Sequence, residues 1–235
     1  MSGVYTPEDP PAERPFSLSK MYRRLKYALH AVFLLVGTGQ WGKTVSLNSL
    51  AQEPIFKDRN IVLVNYHPRF VYALYPPRYR AIKWPKEIED IVDLLEPGKD
   101  FLIIDDAVFL AGARDHSTGE NRDLQKLMSI ASHHELFIGV TIQNTSMLDF
   151  LMLQAQDIHV LHKEMDALSL EFERPQIKMR QATANIMLGQ YRKRFPDVHP
   201  KAWTWNSSTS EMISFGMPSW WKPEMSKAFK GRMPT

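Results

Sequence analysis

A short glycine-rich segment near the start of the chain has the spacing of a loop that binds phosphate groups. Residues 37–44 read GTGQWGKT and match G-x-x-x-x-G-K-[ST] at every fixed position. Glycines let backbone N–H groups turn inward around phosphate oxygens, and a helix that follows points its positive N-terminus at the same anion. Lys43 would bring a cation to the β- and γ-phosphates of a nucleotide, and Thr44 would offer a hydroxyl to Mg²⁺.

The flanking residues supply the context that this pattern requires. The apolar run 31–36 predicts a buried strand before the loop, and residues 44–52 predict a helix after it. A glycine-rich turn that matches by chance is the alternative, and whether Trp41 covers the nucleotide or packs outward stays open. We expect ATP to be bound by the loop and the residue after it, namely Gly37, Thr38, Gly39, Gln40, Trp41, Gly42, Lys43, Thr44 and Val45.

A hydrophobic run further along the chain ends in two carboxylates, Asp105 and Asp106. In P-loop enzymes the first acid at such a place holds Mg²⁺, so we expect Thr44 and Asp105 to bind that ion. The second acid, Asp106, is then the candidate general base that polarises the attacking water. Glutamate is commoner at the position of Asp106, which keeps open a nucleotide-binding switch with little turnover. An Asp–Asp turn that caps a core strand is the structural alternative.

Two further side chains are candidates for the chemistry of a bound triphosphate. Gln143 follows the predicted strand 136–142 and is placed to sense the γ-phosphate or orient water, although an amide at a helix start would look the same. Arg114 and Arg122 lie between the acidic pair and that strand. Of the two we favour Arg122 as an arginine that stabilises the transferring phosphate of a neighbouring subunit.

The elements that must position these residues alternate between strands and helices. Apolar runs at 31–36, 61–65, 101–104, 136–142 and 158–161 predict strands, and the segments between several of them predict helices. This pattern indicates an α/β fold with a central, mainly parallel sheet and helices on both faces. We divide the chain into a flexible arm (1–16), an ATPase core (17–163) and a C-terminal helix and β-hairpin extension packed on the core (164–235). The loop, the acidic pair and Gln143 each follow a strand, where active sites of such sheets lie.

Composition limits the class of protein. The 235 residues are 44% hydrophobic and 23% charged, a globular balance. The absence of cysteine excludes disulfides and thiolate metal sites, and no apolar run approaches the length of about 20 residues that spans a bilayer. The net charge of +3 permits a polyanionic partner without requiring one. Nucleic-acid contact and ordinary packing both explain the basic and tryptophan-rich segments, which contain Arg23, Arg24, Lys26, Arg192, Lys193, Arg194, Trp203, Trp205, Trp220 and Trp221.

The order of these motifs resembles the FtsK/HerA superfamily, and within it the small genome-packaging ATPases of double-jelly-roll viruses with internal membranes. The resemblance covers roughly residues 30–163 and is carried by the glycine loop, the strand ending in Asp105 and Asp106, and the segment 132–135 before a strand ending in Gln143. It implies a P-loop NTPase fold of the additional-strand (RecA/FtsK-like) type. In this type one strand lies between the strand of the loop and the strand of the acidic pair.

The resemblance also implies a function. It predicts an ATP- and Mg²⁺-dependent motor that moves double-stranded DNA into a preformed capsid, as a homo-oligomeric ring for which a hexamer is favoured. Capsid or portal-vertex proteins are the implied partners, and the host cytoplasm or the virion is the implied location. Ser132 stands where family members often have arginine, so the resemblance does not assign the trans-acting arginine. A phage assembly or extrusion ATPase, whose known forms usually carry a membrane span, and a replication-initiation ATPase are the alternatives.

Overall fold

The computed structural model describes residues 19–64, 66–85, 89–105, 126, 129–143, 145, 157–173, 175–222 and 225. The predicted arm (1–16), Asp106, Arg114 and Arg122 lie outside these ranges. Within them the strands are β1 (Ala31–Val36), β2 (Asn60–Val64), β3 (Tyr79–Ile82), β4 (Asp100–Ile104), β5 (Phe137–Ile142), β6 (Ile158–His162), β7 (Trp203–Asn206) and β8 (Glu211–Ser214). The helices are α1 (Lys20–Leu25), α2 (Lys43–Ala51), α3 (Pro68–Leu74), α4 (Glu89–Asp93), α5 (Ala167–Glu171) and α6 (Pro175–Arg194).

The eight strands form one sheet in the order β3-β2-β4-β5-β1-β6-β7-β8. All pairs from β3 to β6 are parallel, and only the pairs β6–β7 and β7–β8 are antiparallel. Strand β5 therefore lies between β1, which carries the glycine loop, and β4, which carries Asp105. This confirms the predicted fold class, including the additional strand and the mainly parallel sheet.

Helices cover both faces of the sheet, which is why its central strands are mostly apolar and buried at every position. One face buries Phe33 and Leu35 of β1 beneath α1, α2 and α3. The other face buries Leu34 together with Ile91 of α4 and Ala131 of the helical residues 129–133. A strand buried on both faces gains from hydrophobic side chains at odd and even positions alike, and the run AVFLLV of β1 is the result.

The C-terminal segment, predicted as an extension, contributes to this same sheet. The predicted hairpin is β7 and β8, and β7 pairs with β6. Pro175 is the first residue of α6, where its missing N–H has no helical partner to lose. The carboxylate of Glu211 on β8 accepts the backbone N–H groups of Lys20 and Met21 at 2.8 Å each and so caps α1. Within the described residues, no helix is long and apolar enough to cross a lipid bilayer.

Packing accounts for two of the tail tryptophans. Trp203 is 2% exposed and lies against Tyr191 and Phe195 at centroid distances of 5.2 and 5.4 Å. Trp220 lies 5.3 Å from the ring centroids of both Tyr75 and Tyr79. In this arrangement Trp203 is not available to stack on a base, and its role is to join α6 to β7.

Candidate nucleotide-binding site

The glycine loop connects β1 to α2 and depends on backbone conformations that side chains rarely adopt. Gly37 has a φ of 151° and Gly42, the N-cap of α2, has a φ of 75°. Gln40 also lies in the left-handed region, with a φ of 67°. A Cβ at Gly37 would lie 2.8 Å from the Cβ of Lys163 and 2.9 Å from the carbonyl oxygen of Glu164. Glycine at position 37 is thus required by both conformation and space.

Lys43 lies across the loop. Its ammonium group donates hydrogen bonds to the carbonyl oxygens of Gly37 at 2.6 Å and Thr38 at 2.9 Å. Because Lys43 is the first residue of α2, its side chain and the N-terminus of the helix offer positive charge to the same space. This is the arrangement that binds the anionic end of a nucleotide.

Asp105 is the point at which three hydroxyl groups converge. The Thr44 hydroxyl lies 3.0 and 2.8 Å from its Oδ1 and Oδ2, the Tyr66 hydroxyl donates to Oδ2 at 2.8 Å, and the Thr141 hydroxyl donates to Oδ1 at 2.5 Å. Asp105 is 7% exposed, so these bonds stabilise a nearly buried carboxylate. Burial, followed by the negative charge of Asp105, raises the pKa of Tyr66 well above its ordinary value. Tyr66 therefore keeps its proton and acts as a hydrogen-bond donor to Asp105 throughout the physiological pH range.

The segment after β6 forms one wall of the loop. The N–H of Thr38 donates to the carbonyl oxygen of Glu164 at 3.1 Å. The Thr38 hydroxyl donates to Oδ2 of Asp166 at 2.7 Å and accepts the Asp166 N–H at 2.9 Å. Three polar bonds thus attach the second residue of the loop to the beginning of the predicted extension.

Lys163 is a buried cation in this wall. It is 1% exposed, and its ammonium donates to the carbonyl oxygens of Lys201 at 2.8 Å and Trp203 at 3.0 Å. Burial, and secondarily the positive charge of Lys43, lowers the pKa of Lys163 to about 7. The carbonyl dipoles hold the group in place and connect the phosphate loop to β7.

Trp41 packs outward onto α6. The guanidinium of Arg192 lies 5.3 Å from the centroid of the Trp41 ring and pairs with the Glu164 carboxylate at 2.5 Å. Of the two placements of Trp41 that the sequence allowed, this structure shows the outward one. Trp41 anchors the tip of the loop to the C-terminal part of the chain.

Other residues singled out in the sequence lie at different places. Gln143 is exposed directly after β5, at the same edge as the loop, because Val36 and Ile142 are register partners at the carboxyl ends of β1 and β5. Segment 132–135 precedes β5 and so lies at the opposite, amino-terminal edge. Asp106 and Arg122 are outside the described residues, and the roles of all three site candidates stay predictions.

Sequence reasoning did not identify Tyr66, Thr141 or Lys163. A signal existed for two of them. Thr141 is a polar residue inside the otherwise apolar β5, and Tyr66 lies two residues beyond the end of β2. Both therefore occur at the carboxyl ends of the strands that flank β4, but only the strand order shows that they flank it.

The donor groups at this site suit Mg²⁺. Within the described residues, no three His, Cys, Asp or Glu side chains come close enough to hold a metal ion among themselves. Thr44 and Asp105 offer hard oxygen atoms, and Mg²⁺ commonly binds through one or two protein oxygens together with water and substrate phosphates. The two residues fit an ion that arrives with a nucleotide.

No protein-family model and no curated protein sequence matches the chain. Among solved structures, the genome packaging NTPase B204 from Sulfolobus turreted icosahedral virus 2, in complex with ATP-gammaS, is 12% identical over 80% of this chain and 98% of that chain, with a TM-score of 0.49. The N-terminal domain of zonular occludens toxin from Neisseria meningitidis is 20% identical over 57% of this chain and 77% of that chain, with a TM-score of 0.42.

A third solved structure, the cytoplasmic domain of the Thermomonospora curvata type VII secretion ATPase EccC, is 14% identical. The match covers 59% of this chain and 20% of that chain, with a TM-score of 0.40. The three structures have TM-scores below 0.5 and sequence identities of 20% or less, so they carry no argument about this chain. The sheet order, the loop between β1 and α2 and the position of Asp105 give this chain the fold of a P-loop NTPase with a RecA/FtsK-like sheet.

Proposed function

We propose that this protein hydrolyses ATP and uses the released free energy to move double-stranded DNA. The observation that carries the hydrolytic part is the convergence of Lys43, Thr44 and Asp105 at one edge of the sheet, where a phosphate loop and a carboxylate face each other. These are the groups that bind the phosphates of a nucleoside triphosphate and its accompanying cation.

The proposed reaction is in-line attack of water on the γ-phosphorus. The new P–O bond forms to the water oxygen, the bond to the β,γ-bridging oxygen breaks, and ADP and phosphate leave. Lys43 neutralises charge on the phosphate oxygens, Asp106 accepts the water proton and Gln143 orients the water. Thr44 and Asp105 would hold Mg²⁺, which neutralises phosphate charge when bound. Arg122 of a neighbouring subunit is the proposed source of further positive charge.

The DNA-moving part of the proposal is supported by the resemblance of residues 30–163 to genome-packaging ATPases. We propose that the protein forms a ring, with a hexamer as the favoured state, and that it drives a viral genome into a preformed capsid through contact with capsid or portal-vertex proteins. Exposed basic residues on α1, Arg23 and Arg24, are candidate contacts for the phosphate backbone of DNA.

Steady-state ATP hydrolysis, with and without linear double-stranded DNA, tests the proposal. We expect wild-type turnover to rise with DNA and Lys43→Ala to lower it by at least about 100-fold, because the variant loses a cation that stabilises the transition state. Lys57→Ala is the matched control. Lys57 is an exposed lysine before β2, at the opposite edge of the sheet, and its removal should leave turnover unchanged.

Wild-type turnover no faster than that of Lys43→Ala would contradict the hydrolytic function. Turnover that is real but independent of DNA would leave an ATPase and argue against the motor. Movement along DNA is tested by ATP-dependent displacement of a triplex-forming oligonucleotide from a linear duplex. Sedimentation velocity with DNA and a slowly hydrolysed ATP analogue tests the ring.

A further inference from the structure

The orientation of Asp105 is controlled from both sides of its strand. Tyr66 follows β2 and Thr141 belongs to β5, and these are the two strands that pair with β4. The Tyr66 hydroxyl binds one carboxylate oxygen and the Thr141 hydroxyl binds the other, at 2.8 and 2.5 Å. Neither residue belongs to the phosphate loop, so both bonds are independent of Thr44.

This arrangement holds in place the Asp105 carboxylate, which we expect to bind Mg²⁺. A carboxylate has about four lone-pair directions, and two hydroxyls from flanking strands occupy one on each oxygen. The Thr44 hydroxyl lies within 3.0 Å of both oxygens, so the carboxylate also contacts the end of the phosphate loop. The carboxylate is therefore held against the phosphate loop before any nucleotide arrives, which reduces the entropy cost of orienting it when an ion binds.

Tyr66 is itself held rigidly. It is 2% exposed, and its ring meets the ring of Tyr75 edge-on at a centroid distance of 6.1 Å. Tyr75 in turn lies 5.2 Å from the ring of Tyr79 and 5.3 Å from that of Trp220. The packed aromatic cluster confines the Tyr66 ring in the position from which its hydroxyl donates to Asp105.

We propose that Tyr66, assisted by Thr141, is a positioning residue that sets the affinity of the site for Mg²⁺ by orienting Asp105. The inference rests on the proposed function, since it assumes that Thr44 and Asp105 receive the ion that accompanies ATP. Groups that hydrogen-bond to a metal ligand commonly change metal affinity about 10–100-fold when they are removed.

The test is equilibrium binding of a fluorescent, non-hydrolysable ATP analogue, titrated with MgCl₂ and repeated in EDTA. Tyr66→Phe removes one oxygen atom and keeps the ring, so we expect the Mg²⁺ concentration at half-maximal enhancement to rise about tenfold. Binding in EDTA should stay at the wild-type level, because the phosphate loop is intact. Thr141→Val, a change of similar shape on the other side of β4, should shift the Mg²⁺ midpoint in the same direction.

The matched control is Tyr79→Phe. It removes the same atom from the same aromatic cluster, where the Tyr79 hydroxyl accepts a bond from Gln52 at 2.8 Å. Its Mg²⁺ midpoint should equal that of the wild type. Thermal unfolding without nucleotide shows which variants are folded, and Thr141→Val decides the question if Tyr66→Phe is not.

Three results would overturn the inference while leaving the proposed function intact. They are an unchanged Mg²⁺ midpoint in the folded hydroxyl-deleted variants, an equal loss of binding in EDTA, or an equal shift in Tyr79→Phe. If the wild type binds no nucleotide at any Mg²⁺ concentration, the proposed function fails and this inference fails with it.

Discussion

Single residues at the phosphate loop combine a conformational requirement with a spatial one. At Gly37 the backbone has a φ of 151°, and the nearest atoms to an added Cβ belong to Lys163 and Glu164. Those atoms are a Cβ and a backbone carbonyl oxygen, neither of which can turn away as the end of a flexible side chain does. The loop and the segment after β6 are therefore fitted to each other at this residue.

Gly37→Ala tests that fit. The added methyl group should lower the free energy of unfolding by about 1–3 kcal/mol, the usual cost of overpacking, and weaken ATP binding as the loop moves away from 163–164. Gly189→Ala is the control, because a Cβ there meets nothing within 4 Å and the residue lies inside α6. Alanine should stabilise that helix by up to about 1 kcal/mol.

Urea unfolding and nucleotide titration measure both effects. Equal stability and equal ATP affinity of Gly37→Ala and the wild type would show that the loop adjusts freely, against the close packing described above.

At the scale of elements, α2 packs closely against β5 because Gly139 of that strand has no side chain. A Cβ at Gly139 would lie 2.4, 2.8 and 2.9 Å from the Cδ1, Cδ2 and Cγ atoms of Leu47. Leu47 is fully buried, so it has no free space into which to turn. This contact sets the distance between β5 and α2, the helix that begins at the end of the phosphate loop.

We expect Gly139→Ala to destabilise the protein by about 1–3 kcal/mol through overpacking. Leu47→Ala alone should cost about 2–5 kcal/mol, because it leaves a cavity. The double variant should be more stable than the sum of these losses predicts, by at least about 1 kcal/mol, since the new methyl group occupies part of that cavity. Urea unfolding of the wild type, the two single variants and the double variant measures these differences. Strict additivity would show that the two residues do not compete for the same space.

At the scale of the whole molecule, the C-terminal residues form part of the site. Thr38 is bound to Glu164 and Asp166, Trp41 lies on Arg192, and a Cβ at Gly42 would lie 3.4 Å from the Cβ of Lys201. The loop between β1 and α2 is thus supported by residues far along the chain. Its conformation and the packing of the C-terminal part should respond to each other.

Buried histidines give the whole molecule a pH-dependent stability. Burial lowers the pKa of His162 to about 4 and that of His159 to about 4, from an ordinary value of 6.5. Between these values the unfolded chain binds protons that the folded chain does not. The contribution of these neutral histidines to the free energy of unfolding is therefore fully present above pH 6.5 and decreases as the pH is lowered toward 4.

The contribution of His162 is measurable by removing it. Its ring bonds Gln181 at 2.7 Å and Ser207 at 3.0 Å, so His162→Asn keeps a polar group in that space. Between pH 4 and 6.5, the unfolding free energy of the variant should change with pH less steeply than that of the wild type. The difference should be up to about 1.4 kcal/mol per pH unit, which corresponds to one proton. Urea unfolding at several pH values measures the slope, with the exposed His133→Asn as control. An unchanged slope in His162→Asn would contradict the assignment.

Local patterns predicted the elements and their order well. The strand at 31–36 has the predicted bounds, the loop follows it, and Asp105 directly follows β4. These features succeed because each depends on a few consecutive residues. An apolar run buried on both faces, glycines with positive φ and a helix start are all properties of short segments. The Ser19 hydroxyl, which caps α1, is a local signal of the same kind.

The sequence by itself determined that a phosphate loop and an acidic strand end are present, and through its resemblance to a known family it indicated that one strand separates them. Only the tertiary structure decided what surrounds them. Tyr66 and Thr141 meet Asp105 because β2 and β5 flank β4, and Lys163 supports the loop because β6 lies beside β1. Such contacts join residues that are distant in the chain, so they depend on strand order and crossover connections. Local spacing does not encode that order, because the same short segment can pair with different neighbours.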